Sequence, residues 1–342
     1  NLAMPQHYTW VALYAGNAGS LLFIAIIFSL LAVIGILSIR KSLPHSTPYA
    51  LTLMALMLTF FLGIICFMAN PLERLPITPT DGQGINPLLV HFGMFIHPPL
   101  QMSGLVLVAI PFSISIGALL ARRGGRDEWV DMGRLWGMIS WLILTIGLLL
   151  GSWWAYTILG WGGYWAWDPV ENSALMPWLA MTAFVHSVMV QKRRGMFRMW
   201  NMIIIIIAFT LAQMGMFINR GGPVPSVHSF AQSTMGWLFL MFMTVTLIIS
   251  LAIFIWRLDS LKSRGQLESI LSRESAFLAQ NILFLTVAFV TLWGTIFPVF
   301  SEVASGDTMT IGQPYFNIIN GPILLSIIFL MGVGPLIPWR RS

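Results

Sequence analysis

Histidine and tryptophan set the chemistry this sequence can do. His97 stands in His97-Pro-Pro-Leu100, and His228 in Pro225-Ser-Val-His-Ser229. Between them runs Trp161-Gly-Gly-Tyr-Trp-Ala-Trp-Asp168. Neutral imidazole is a common axial ligand of haem iron. Indole and phenol rings offer flat apolar faces, and glycines allow close backbone approach. Trp161, Tyr164, Trp165 and Trp167 therefore suit a large, flat, apolar ligand. The two histidines flanking them could hold the iron of a porphyrin from both faces. Asp168-Pro169 and Glu171-Asn172 close the patch, either as helix cap and loop anchor or as ligand contacts. Trp153, Trp154 and Trp178 sit at the ends of apolar runs, where an interfacial aromatic belt accounts for them.

The other histidines divide. His186, in Ala183-Phe-Val-His-Ser-Val-Met189, lies within an apolar run. An ionisable group there is a functional candidate by default, and a haem inside the membrane would need such a ligand. The competing role is a hydrogen bond to a neighbouring helix. His91 is the second choice as partner of His97, while His7 and His45 have no comparable setting. No residue stands out as a nucleophile or general base. The lone cysteine, Cys66, excludes an intramolecular disulfide and a Cys-x-x-Cys redox pair.

The elements positioning these residues are membrane helices. Of the 342 residues, 57% are hydrophobic and only 9% charged, against about a quarter charged in soluble domains. Apolar stretches of roughly 20 residues can cross a bilayer core. Nine are expected, near 20–39, 47–69, 98–121, 133–153, 174–191, 199–218, 234–256, 276–297 and 318–338. Backbone groups inside a bilayer must be satisfied within the segment, so these are helices. The fold class is an all-α polytopic integral membrane protein of about nine helices in one domain, 1–342, with a tryptophan-rich outer loop at about 153–178. Every Lys and Arg except Arg74 and Arg220 falls on one set of connections, which the positive-inside rule assigns to the cytoplasm. His97, His228 and the tryptophan loop then face outward. The net charge of +6 is a topology signal with anionic lipid as its expected partner, and not a nucleic-acid surface.

The stretch Trp161-Gly-Gly-Tyr-Trp-Ala-Trp-Asp-Pro-Val-Glu-Asn-Ser-Ala-Leu-Met-Pro-Trp-Leu179 resembles the tryptophan-rich motif of the CcmF/NrfE family of cytochrome c-type biogenesis proteins. Asn86-Pro-Leu-Leu89 with His97-Pro-Pro-Leu100, Ser226-Val-His-Ser-Phe-Ala231, Gly312-Gln-Pro-Tyr-Phe316 and Gly332-Val-Gly-Pro-Leu336 are similar to further family segments. The resemblance implies a haem lyase subunit in the bacterial or organellar inner membrane. Its reaction joins haem to an apocytochrome Cys-x-x-Cys-His by thioether bonds. It implies His97 and His228 as axial ligands of a transient substrate haem delivered by a haem chaperone. It implies Trp161–Asp168 as the cradle, and His186 as one ligand of a permanent b-type haem whose second ligand lies outside this chain. Apocytochrome c and its thiol-handling subunit are the implied partners. The family is longer at both ends, and Tyr14-Ala-Gly-Asn-Ala-Gly-Ser20 departs from it in lacking a Glu before Gly-Ser. A haem carrier or exporter without ligase activity is the main alternative. A solute transporter or a purely structural subunit are others.

Overall fold

The protein is described by a computed structural model, which covers all residues except 161, 222, 223, 225, 227, 229–234, 264, 266, 268, 270, 271 and 338–342. Among the described residues nine helices are long and apolar enough to cross a membrane. They are α1 Asn17–Ile39, α2 Thr47–Phe67, α3 Gly93–Leu120, α4 Val130–Ile158, α5 Pro169–Arg194, α6 Arg198–Asn219, α7 Met235–Trp256, α8 Arg273–Ser305 and α9 Gln313–Leu336. A short helix, Thr9–Ala15, precedes α1. The protein is thus an all-helical, multi-pass membrane protein.

Several helices outrun their apolar stretches. α4 extends past the expected 133–153, and α8 past 276–297. A helix of α8's 33 residues is about 50 Å long, well beyond the roughly 30 Å of hydrocarbon. Hydrogen bonding carries the helix into aromatic and polar residues at which the apolar run ends. His97, expected at the mouth of its helix, therefore lies inside α3.

Prolines interrupt α3 twice. Pro111 cannot donate to the carbonyl of Leu107, and the helix breaks at Val108. Pro98 and Pro99 likewise leave the carbonyls of Met94 and Phe95 without their helical donors. The Tyr14 hydroxyl, reaching in from the short first helix, donates to the Met94 carbonyl at 2.8 Å.

α3, α5 and α6 form the interior, while α1, α4, α7 and α9 are the most exposed, followed by α2. α5 has the lowest hydropathy of the nine, 1.4, yet is largely buried. Its polar side chains point inward: Asn172, Ser173, Thr182, Ser187 and Gln191 are all buried. The peripheral helices instead expose Leu30, Leu56, Ile248 and Phe329. That inverted pattern follows when lipid is as apolar as leucine and polar contacts hold helices together.

The two ends of the bundle differ. At the basic end Arg198 pairs with Asp127, Lys192 with Asp131, and Arg194 with Glu274 at 3.4 Å. Gln191 donates to Asp127 at 2.7 Å and accepts from Asn201 at 2.7 Å. At the opposite end Arg220, expected in an exposed loop, is buried. It donates to the Asn17 carbonyl at 2.9 Å, to the Asn17 side chain at 2.7 Å and to Ser20 at 2.5 Å. It thereby ties the end of α6 to the start of α1. Trp178 is no belt residue: its indole donates to Thr145 at 2.7 Å and stacks on Trp141, joining α5 to α4.

Candidate functional site

The cleft at the Lys- and Arg-poor end begins with a close crossing of α3 and α4. Gly147 and Gly151, four residues apart, lie on the face of α4 that meets α3. A methyl group at Gly147 would come within 2.6 Å of Gln101 Oε1, and one at Gly151 within 2.5 Å of His97 Cε1. Only hydrogen at both positions lets the helices approach this far. The approach brings His97 Nδ1 to 2.8 Å from the Gly147 carbonyl. A carbonyl can only accept, so Nδ1 carries the proton and the neutral ring's lone pair sits on Nε2, the arrangement that suits a metal ligand. Trp154 meets the His97 ring edge-on at 5.7 Å.

The second side comes from the segment between α4 and α5. Asp168 caps α5: its carboxylate accepts from the Val170 amide at 2.9 Å. Glu171 completes a capping box, its Oε2 accepting from the Ala166 and Asp168 amides at 3.0 and 3.2 Å. Asp168 Oδ1 also accepts from Ser226 at 2.6 Å and from His228 Nδ1 at 3.0 Å. Burial works against charge on Asp168, but the hydrogen bond and the electrostatic attraction of His228, with the Ser226 and Val170 hydrogen bonds, hold its carboxyl below the usual range. A carboxylate on Nδ1 again directs the neutral lone pair to Nε2.

His97, His228, Trp165, Trp154, Gln101 and Glu171 line one cleft of about 150 Å³, with Leu88, Leu89, Leu148 and Leu159 as apolar walls. Among the described residues, both amide atoms of Gln101 and the indole nitrogens of Trp154 and Trp165 are buried without a hydrogen-bond partner. Two imidazoles whose neutral lone pairs fall on Nε2, beside apolar and aromatic walls, are the kind of donor set that could ligate a haem iron.

The remaining sequence candidates fall elsewhere. Trp167 does not line the cleft. It holds a left-handed backbone conformation, φ 58°, which costs about 1 kcal/mol or more outside glycine. Its indole donates to Asn317 at 2.8 Å and stacks on Phe316, and its carbonyl accepts from Asn172 at 3.0 Å. It meets Trp165 edge-on at 6.0 Å, so it braces a cleft residue. Tyr164 is exposed and stacks on Tyr156 at 4.4 Å. Trp161 lies outside the described residues. His91 stacks on Trp154, but its Nδ1 accepts from the Gly93 amide at 3.0 Å. The neutral ring then carries its proton on Nε2, the reverse of His97.

His186 occupies a separate cavity of about 450 Å³ toward the basic end, lined also by Met189, Phe277, Gln280, Arg193 and Arg273. Its Nδ1 donates to the carbonyl of Thr182, one turn back, at 2.7 Å, which again leaves the neutral lone pair on Nε2. Arg273 donates to the carbonyls of Ile337 and Pro335 at 3.0 and 2.8 Å, so it also ties α8 to the end of α9. No group of three or more His, Cys, Asp or Glu able to hold a bare metal ion exists among the described residues.

Gln101 and Trp154 were missed as site residues. Gln101 had a signal, since it is polar, within an apolar run and one helical turn from His97. Trp154 had none beyond its distance from the motif.

Residues 14–222 match the family described as cytochrome C assembly protein. The chain is 37% identical to CcmF of Pseudomonas aeruginosa, covering 100% of this chain and 52% of that protein. It is 37% identical to CcmF of Escherichia coli, covering 100% and 53%. It is also 37% identical to NrfE of Haemophilus influenzae, covering 97% and 52%. A solved structure described as cytochrome c heme lyase CcmF superposes with a TM-score of 0.79 at 33% identity, over 99% of this chain and 49% of the other. The chain thus spans about half the length of the relatives it matches. It belongs to the cytochrome c assembly protein family, and within that family it is similar to CcmF and NrfE.

Proposed function

We propose that this chain acts in cytochrome c maturation as a haem lyase subunit, holding substrate haem in the cleft while an apocytochrome Cys-x-x-Cys-His receives it. The observation that carries this is the pair His97 and His228. They come from different elements onto one cleft, and each has Nδ1 against an acceptor, which puts the neutral ring's lone pair on Nε2. Trp165 supplies a flat wall, Trp167 and Asp168 brace the segment that carries it, and Tyr164 stands exposed beside it. Two thiols add across two vinyl groups, and the protein's share is to fix haem and peptide in one geometry.

The chain works as a single helical domain in an inner membrane with the cleft on the outer side, as the placement of Lys and Arg supports. Its partners are a haem chaperone, apocytochrome c with its thiol-handling subunit, and anionic lipid. A b-type haem would be held by His186 with a second ligand from outside these 342 residues, in the cavity that Arg193 and Arg273 also line. Such a group would supply electron transfer.

The test uses the full-length protein in its membrane complex, given haem-loaded chaperone and a reduced apocytochrome peptide. A covalent haem c signature in the pyridine haemochrome spectrum is expected. Haem captured but never attached to peptide would replace this reading with that of a haem carrier.

A further inference from the structure

We propose that Glu171 is the acid–base catalytic residue of haem attachment, a proposal that rests on the lyase reading above. Adding a thiol across a vinyl group breaks one S–H bond and one carbon–carbon π bond, and forms one C–S and one C–H bond. No electrons are gained or lost overall. The terminal vinyl carbon needs a proton at the moment sulfur bonds to the inner carbon, and unassisted alkenes accept one slowly. The cleft must therefore hold a group that gives a proton and takes one back.

Few of its residues can. His97 and His228 present their lone pairs as ligands, and the indoles of Trp154 and Trp165 do not titrate in the accessible range. Asp168 is consumed by Val170, Ser226 and His228. Glu171 lines the cleft beside both histidines and Trp165. Its Oε2 is fixed by two backbone amides. Oε1 has no hydrogen-bond partner among the described residues, and it is not one of their fully enclosed unpartnered atoms. A helix cap needs one oxygen; the second has no hydrogen-bond partner among the described residues, on a side chain that lines the cleft. As the carboxylic acid, Glu171 delivers its proton to the terminal vinyl carbon while the cysteine sulfur bonds to the inner one. The thiol proton then returns to the carboxylate, restoring the acid for the second cysteine.

The experiment is single-turnover thioether formation by the full-length complex from haem-loaded chaperone and reduced peptide, with captured haem measured separately. Glu171→Gln keeps an oxygen for the two amides. It should retain haem capture within about twofold while the thioether rate falls ~100-fold, the scale of a lost general acid, and the solvent deuterium isotope effect of the parent protein should disappear. Glu171→Ala should regain part of its rate with added formate, which a purely capping residue would not allow. An unchanged rate in Glu171→Gln overturns the proposal, and so does loss of haem capture in step with rate. Failure of the parent complex to form any thioether overturns the lyase reading itself, and is distinguishable because it appears without mutation.

Discussion

The cleft and the basic-end cavity use the same imidazole device in different surroundings. In each, a histidine gives its Nδ1 proton to a fixed acceptor and presents Nε2. His97 reaches across a helix crossing to Gly147, and His228 reaches from a connecting segment to the cap of α5. His186 merely bonds back to Thr182 in its own helix. The cleft has two such histidines from separate elements, while the cavity has one among its described lining residues. The cleft's two histidines stand on separate elements, whereas the cavity's one histidine is anchored within its own helix, with α8 and α9 supplying the other walls. That difference is the one expected if, as proposed, the cleft takes a substrate haem and the cavity a resident one.

The most damaging change to this contrast is removal of a cleft ligand. His97→Ala or His228→Ala should each cut haem capture ~100-fold or more, since even the partners behind metal-bound histidines are worth 10–100-fold. Holocytochrome c yield in cells reads it out, and normal yield in both variants removes the ligand assignment. His186→Ala should do the opposite, abolishing a b-type absorption band from the full-length protein while leaving capture at the cleft intact. A spectrum that does not change would remove His186 as the ligand of a resident haem.

Subtler changes sharpen the contrast. Asp168→Asn keeps a competent helix cap but withdraws the carboxylate behind His228, and haem affinity should fall ~10-fold with little change in thermal stability. The smallest effect is with pH. Asp168 is held below its ordinary value, so the stability it adds is present above its unfolded pKa, near 4, and is lost as pH falls through the lower folded value. Haem capture limited by this contact should survive acidification through pH ~4 and fail below it. A loss centred well above that value would point away from Asp168.

Much of this was legible in the sequence because membrane helices obey a length rule and histidines in apolar or aromatic settings are rare. All nine spans, the association of His97 with His228, and the separation of His186 follow from one-dimensional spacing. The glycine pair of α4 was not legible, since Gly147 and Gly151 matter only through the side chains of another helix. Nor was the division of labour within the tryptophan motif. Trp165 and Trp167 are two residues apart, yet one lines the cleft and the other packs on Phe316, because the left-handed turn at Trp167 redirects the chain. Arg220 misled for a related reason: a basic residue after an apolar run counts as a loop charge until a distant Asn17 and Ser20 bury it.

The paired prolines beside His97 have a mechanical consequence. A helix resists bending through its ladder of backbone bonds, and Pro98 and Pro99 delete two consecutive rungs. Tyr14 restores an acceptor's partner at Met94 without restoring the rung, since it belongs to another helix. The turn bearing His97 is therefore held less by the ladder of α3 itself and more by its contact with the short N-terminal helix. If His97 and His228 ligate haem as proposed, such compliance would let the distance between them follow the object they hold.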